Sequence, residues 1–556
     1  MRAVARTPEL QRVLALPRRR WESEAKQWAI EATRLLRRPG HENQALKREV
    51  QEDGTVVEYL VCATCGIREY ELRDTQAAAL KEAYECQGLF GAIGVGQGKT
   101  LLSMLLAWVL GSQRAMLVMP AELIEDRKRD QRKLMSHWYI PHHLRFMSAQ
   151  LLGMVQAKWE LPQFRPDLLV FDEFHMFKNR YASRTVRVDK HIRSRRKFEA
   201  ARMGAPVKWK NQEQYDEALR YAGGADLPYL RVCGFSGTVT NSSIKDYNHL
   251  EQWCVPQLSA LPWVWHETEN WSKALDELAN PGSRLDPGAL LSFCAQEDIE
   301  TTWDPTEQAR LGFQRRLRET PGHIYTTHVD SCGASIRISE KPLPPSEPIE
   351  TALTTLRHKW ELPDGFQLVD GKECAAYARQ MALGFFYIWE PRPPQAWLTA
   401  RAVWRNFVLE VLDKGAHDSM YDVALHFPDA PELLAWSAVR AQYDYLKKPV
   451  WLCDSALRVA AEWLHTNKRG ICWVSHVSFG QALCHMSGLP YYQNEGRNDR
   501  GQMIEDGSGP VIASVASNKA GRNLQHKWDT NLITNSIASA ETTEQLIGRQ
   551  HRPQQN

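Results

Sequence analysis

GAIGVGQGKT, residues 91–100, sets glycines at 91, 94, 96 and 98 ahead of Lys99 and Thr100. The run GLFGAI that leads into it reads as a strand, and KTLLSMLLAWVL after it reads as a buried helix stopped by Gly111. Small residues between a strand and a helix let backbone N–H groups converge on phosphate oxygens, and the helix N-terminus adds partial positive charge. Gly96, Gln97 and Gly98 would form that cradle, Lys99 would reach the β/γ phosphates, and Thr100 would ligate Mg²⁺. The general pattern GxxxxGK[ST] wants glycine where Ile93 stands, so the loop ends like a P-loop without beginning like one.

Some 70 residues on, LLVFDEFH (168–175) places four apolar residues before two carboxylates. The apolar run predicts a buried strand, and ligands of an open α/β sheet lie at the C-terminal ends of its strands. Asp172 would hold Mg²⁺, and Glu173 would orient the attacking water and help deprotonate it. Phosphoryl transfer needs this positioning and charge neutralisation more than covalent chemistry. A carboxylate pair after a strand is commonly structural; after a loop like 94–100 it gains a chemical meaning.

Around these two stretches, residues 71–257 alternate short β-rich runs with helical patterns, as a doubly wound parallel sheet does. AMLVMP, DLLVFDE and LRVCGFSGT are its further strands. Residues 258–445 are rich in Trp and Pro and carry helix-length amphipathic patches, so they predict a mostly helical insertion whose tryptophans pack a core. Strand-like runs return at GICWVSH (470–476), PVIASVA (510–516) and TNLITNS (530–536), which makes 446–556 a second, shorter α/β unit. Residues 1–70 are left as an N-terminal accessory segment.

The bulk numbers fit a soluble globular chain: 556 residues, 43% apolar, 24% charged and a net charge of +3. Local charge is more informative. Residues 181–210 carry ten Lys/Arg against Asp189 and Glu199, a concentration suited either to a polyanion or to a solvated face. LPRRRWESEAKQWAIEATRLLRR near the N-terminus is basic too, diluted by acids. Eleven cysteines without a disulfide-like framework argue for a reducing compartment, hence the cytoplasm, or the nucleus for a eukaryotic chain. No apolar run approaches the ~20 residues a membrane span needs. Cys62 and Cys65 form the one CxxC and look like half of a zinc ribbon. A Zn²⁺ site needs two more ligands, for which Cys86 and His41 are the loose candidates, and two ordinary thiols are the plainer reading.

DEFHMFKN (172–179) resembles the DExH box of superfamily 2 helicases, and its trailing Lys178-Asn179 is similar to the form in Swi/Snf-type DNA translocases. Other pieces fall in that family's order. LRDTQ (72–76) resembles the segment whose glutamine, here Gln76, reads adenine, and MLVMPAEL resembles the motif at Pro120 that contacts the tracking strand. GFSGTVTNSSIKDYNHLEQW resembles the third motif, GICWVSHVSFGQAL the fourth and SNKAGRNL the fifth. QLIGRQHRPQQ (545–555) fits QxxGRxxR at Gln545, Gly548, Arg549 and Arg552, although Pro553-Gln554 replaces the family's Ile-Gly. The family writes its phosphate loop AxxGxGKT, which IGVGQGKT (93–100) matches at Gly96, Gly98, Lys99 and Thr100, with Ile93 departing.

The resemblance implies two RecA-like domains with ATP between them. Gln76 and Gln545 would contact nucleotide, Arg549 and Arg552 would deliver guanidinium to the γ-phosphate, and His175, Ser236 and Thr238 would couple hydrolysis to movement. The positions expected to face nucleic acid are Pro120, Ser148, Thr238, His476 and Ser517, with Arg193, Arg195 and Arg196 of the basic run. The implied activity is ATP-driven translocation along duplex DNA. Strand separation on DNA or RNA is the alternative, and a P-loop ATPase without nucleic acid stands behind both.

Overall fold

The structure, a computed structural model, describes residues 3–50, 56–94, 97–237, 243–277, 279, 281–326, 337–368, 371–413, 420–443, 446–518, 524, 527–536 and 540–547. Gly96, Thr238, Arg549 and Arg552 lie outside this set, as does the side chain of Gln545. The described chain forms two compact units, the first running through residue 326 and the second beginning at 337. No described helix is long and apolar enough to cross a membrane.

The first unit opens with an antiparallel hairpin, β1 (Gln44–Val50) and β2 (Val56–Cys62). Its centre is a parallel sheet of β3 (Leu89–Ala92), β4 (Ala115–Met119), β5 (Arg145–Ser148), β6 (Leu168–Asp172), β7 (Arg231–Ser236) and β8 (His323–Tyr325), in the order β5-β4-β6-β7-β3-β8. Parallel neighbours require crossover connections, so helices cover both faces and the strands become apolar throughout. Successive side chains then feed two cores in strict alternation. Phe90, Met116, Val118, Leu169, Phe171 and Val232 enter one, while Leu89, Leu117, Leu168, Val170, Cys233 and Phe235 enter the other.

The second unit repeats the plan on a smaller scale. It pairs β9 (Phe385–Glu390) antiparallel with β10 (Leu446–Trp451). Its parallel sheet contains β11 (Gly470–Val474), β12 (Tyr491–Tyr492), β13 (Val511–Ser514) and β14 (Thr530–Ile533), in the order β12-β13-β11-β14. Ile471 and Trp473 face one core and Cys472 and Val474 the other. The fold is therefore α/β with two parallel sheets, as expected from the alternation of strands and helices.

Two expectations about the remainder are corrected. Residues 258–445 are not one insertion: the helices Trp265–Leu275 and Pro305–Arg318 bury Trp271 and Phe313 in the first unit's core, and β8 extends its sheet, whereas residues 337–443 belong to the second. The N-terminal segment is not an appendage either. The helix Pro8–Ala15 contributes Leu10 and Val13 to one core, and Ala25–Leu36 contributes Ala25 and Leu36 to the other. Three cations of its basic stretch form ion pairs: Arg18 and Arg20 with Glu319 at 3.1 and 2.8 Å, and Arg19 with Glu82 at 2.7 Å and with Glu85.

Candidate nucleotide and nucleic-acid site

The strand order sets β6, β7 and β3 side by side, with Asp172 opposite Phe235 and Ser236 opposite Ala92. Three loops that are far apart in sequence thus leave the sheet at neighbouring points of its C-terminal edge, where a ligand of such a sheet binds.

The loop after β3 is held from several directions. Ile93 N–H donates to the Ser236 carbonyl at 3.0 Å and Gly94 N–H to Thr326 Oγ1 at 2.8 Å. Ile93, the residue that departs from the family's small one, is fully buried in the core beside Gly91. It is turned into the protein, so its bulk costs the loop nothing. Gly98 has φ +76 and caps the helix Lys99–Val109; a Cβ there would stand 2.3 Å from Gln76 Nε2. Only glycine combines that backbone with that approach. Lys99 begins the helix, and its ammonium bends back to the Ile93 carbonyl at 3.0 Å. Thr100 follows on the first turn and is half-buried.

Gln76 is buried and its amide is divided between two main-chain partners. Nε2 donates to the Gly98 carbonyl at 3.0 Å, and Oε1 accepts Arg73 N–H at 2.9 Å. Here it braces the loop. Gln97 is buried as well, 3.5 Å from an Arg73 guanidinium nitrogen.

At the end of β6, Asp172 is 3% exposed and Glu173 follows in left-handed backbone, φ +55. Such a conformation at a non-glycine residue costs on the order of 1–3 kcal/mol and gathers at functional sites. Burial raises the Asp172 carboxyl above its ordinary range; Arg127 and Lys99 act against that and Glu173 adds to it. Glu173 Oε2 lies 3.4 Å from His175 Nδ1, which in turn lies 3.0 Å from Ser236 Oγ. Since the Ser236 carbonyl also takes the N–H of Ile93, a chain of contacts runs from the carboxylate pair to the glycine-rich loop after β3. Thr238, the third expected coupling residue, lies outside the described residues.

Arg127 is the residue that sequence reasoning missed. It projects from the helix Ile124–Leu134 with Nη2 at 3.7 Å from Asp172 Oδ2 and Nη1 at 3.1 Å from Asp130 Oδ2, and its Nε is buried with no hydrogen-bond partner. In IEDRKRDQRKL it is one of several cations, and nothing local marks it out.

The residues expected to face nucleic acid are more scattered. Pro120 follows β4 and Ser148 ends the neighbouring β5, paired with Met119 in register, so the two share the same sheet edge. Ser148 Oγ also caps its helix, accepting Leu151 N–H at 3.1 Å. In the second unit His476 is half-buried beside Phe385 and Tyr387, and Ser517 lines a groove with Arg497 and Asn498.

The basic run forms the helix Ser183–Arg202, and the structure corrects its reading. Arg195 is 1% exposed; its guanidinium donates to the carbonyls of Pro166, at 2.9 Å, and Pro228. Arg196 donates inward to the carbonyls of Gln252, at 2.8 Å, and Trp253. Arg195 thus ties two loops together and Arg196 caps the end of the helix Asn248–Cys254, so both guanidinium groups are engaged within the first unit. Arg193 alone of the three is exposed, paired with Asp189 at 2.8 Å.

No protein-family model matches this sequence, and no curated protein matches it either. Among solved structures, the chain is similar to the SWI2/SNF2 ATPase core of Sulfolobus solfataricus in complex with dsDNA, at 12% identity. That likeness spans 83% of this chain and 81% of the other, with a TM-score of 0.30.

Proposed function

We propose that this chain is an ATP-hydrolysing, Swi/Snf-like DNA translocase of superfamily 2. The observation that carries the proposal is the convergence of Lys99, Asp172-Glu173 and the His175–Ser236 contact at adjoining strand ends of one parallel sheet. The donor set fits a nucleotide with its metal. Gly98 holds a left-handed backbone where a Cβ would crowd Gln76, Lys99 Nζ lies 3.0 Å from the Ile93 carbonyl, and Asp172 is a buried carboxylate on which Arg127 and Lys99 both act. Mg²⁺, when bound, supplies neutralisation of phosphate charge.

Lys99 would trade the Ile93 carbonyl for phosphate oxygens, and Thr100 and Asp172 would hold the metal. Glu173 orients water and takes its proton, with its carboxylate kept in place by His175. A change at Glu173 is passed through His175 to Ser236, and from there to the loop. Gln76 fixes the loop from behind, and Arg549 and Arg552 would, as the resemblance implies, add guanidinium charge toward the phosphates. Pro120, Ser148, Arg193, His476 and Ser517 are proposed to hold the nucleic-acid backbone. Such contacts read little sequence and depend steeply on salt.

The deciding experiment measures ATP turnover with no nucleic acid, single-stranded DNA, duplex DNA and RNA side by side. Stimulation by duplex alone is the expected result. Release of a displaced strand from a forked duplex would favour a helicase, and indifference to every nucleic acid would sink the proposal.

A further inference from the structure

Four metal-binding side chains converge elsewhere in the first unit: His41, Cys62, Cys65 and His137 have ligand atoms that all lie within 4.8 Å of one another. His41 Nδ1 stands 3.4 Å from Cys62 Sγ, and His137 Nδ1 stands 3.4 Å from Cys65 Sγ. A tetrahedral ion with Zn–S of about 2.3 Å and Zn–N of about 2.0–2.1 Å has S···N edges of about 3.5 Å. Both pairs are therefore already at the spacing of a ligand shell. We propose that these four residues bind one structural Zn²⁺.

Several features favour a metal over two separate thiol–imidazole hydrogen bonds. The chain Cys62-Ala63-Thr64-Cys65-Gly66 folds back on itself, with Gly66 N–H donating to the Cys62 carbonyl at 2.8 Å and Cys62 N–H to the Ile67 carbonyl at 2.9 Å. Gly66 closes this turn at φ +73, which glycine adopts freely.

The outer shell is built as well. His137 Nε2 lies 3.2 Å from the Tyr70 carbonyl, which fixes the ring proton there and leaves the Nδ1 lone pair facing Cys65. Two thiolates and two imidazoles are soft donors suited to Zn²⁺, and they neutralise it where His137 and Cys62 are fully buried. Four protein ligands leave no open position, so the site is structural. Binding releases the two thiol protons to solvent.

The location explains the need. The β1–β2 hairpin leaves Leu46, Val56 and Leu60 exposed, and a lone two-stranded hairpin is marginal in water. The cluster ties its base to the turn after the helix Ile124–Leu134, the helix that carries Arg127 to Asp172. Cys86, the other loose candidate, is elsewhere, with Sγ at 3.6 Å from Glu82 Oε2.

The test is metal analysis of the full chain purified without chelators from zinc-supplemented cells. One zinc per chain is expected, lost in Cys65→Ser and retained in Cys294→Ser. Because Cys65→Ser can also loosen the fold, the native chain is stripped and refilled with Co²⁺, which should give the intense visible bands and thiolate charge-transfer absorption of a tetrahedral site. A weak octahedral Co²⁺ spectrum, a zinc content unchanged by Cys65→Ser, or absence of zinc from the purified chain would each overturn the assignment.

Discussion

Replacing Arg195 by leucine should cost the first unit about 3–5 kcal/mol while leaving duplex DNA affinity and its salt dependence unchanged. The guanidinium is 1% exposed, donates to the carbonyls of Pro166 and Pro228, and lies 3.8 Å from Glu199 Oε1. Each charge-assisted bond contributes about 1.5–3 kcal/mol, and removing one member of a buried pair strands the other. Glu199 keeps the hydrogen bond from the Leu230 N–H, at 2.7 Å, and the weaker attraction of Arg196 and Arg202. The deficit should also depend on pH. Burial already raises the Glu199 carboxyl, the Leu230 N–H and Arg195 oppose that rise, and loss of Arg195 raises it further.

A carboxyl whose folded pKa lies above its unfolded one destabilises the fold at high pH and ceases to do so as it protonates. The Arg195→Leu deficit should therefore be larger near pH 8 than near pH 5, and Arg195→Leu/Glu199→Leu should recover part of it. Urea unfolding followed by tryptophan fluorescence, beside DNA binding titrated over salt, reads both quantities. An unchanged unfolding midpoint, or weaker and less salt-sensitive DNA binding in a normally folded variant, would refute the structural assignment and return Arg195 to the nucleic-acid surface.

Lys99→Ala and Glu173→Gln should each lower ATP turnover by about 10²–10³-fold or more while DNA binding persists, checked by phosphate release and a mobility-shift titration. Arg127→Met should raise the Asp172 carboxyl further, since Arg127 opposes the effect of burial, so the acid limb of the ATPase pH profile should move to higher pH; an unmoved limb would reduce Arg127 to packing. Burial pushes His249 down to about 4 and His191 down to about 3. Below about pH 6.5 the unfolded chain takes up protons that these folded imidazoles refuse, so stability should fall with pH, by up to about 3 kcal/mol for His249 as pH nears 4. Urea midpoints across that window should decline, and His249→Gln should flatten the decline.

Local patterns carried the parts of this protein that depend on local physics. The apolar runs of β3, β4, β6 and β7 are legible because a strand buried on both faces is apolar at most positions, and GVGQGKT and FDEFH stand out because glycines with a lysine, and paired carboxylates, follow strands in immediate succession. The same sequence misled wherever long-range packing decided the outcome. Arg193 and Arg195 are chemically identical and two positions apart, yet a helix turns them about 200° from one another, so one meets solvent and the other the carbonyls of distant loops.

Residues 258–445 split because β8 and the Trp271 helix found their apolar partners on the first sheet, which no composition shift announces. His137 joins Cys65 from 72 residues away, and Arg127 reaches Asp172 from a different helix. By itself the sequence determined two α/β units and a glycine-rich loop followed by a carboxylate pair at strand ends, because periodicity and backbone geometry act over a few residues. Tertiary structure alone decided which cations are available and which cysteines and histidines meet, because the worth of a charge or a lone pair depends on the groups that folding brings around it.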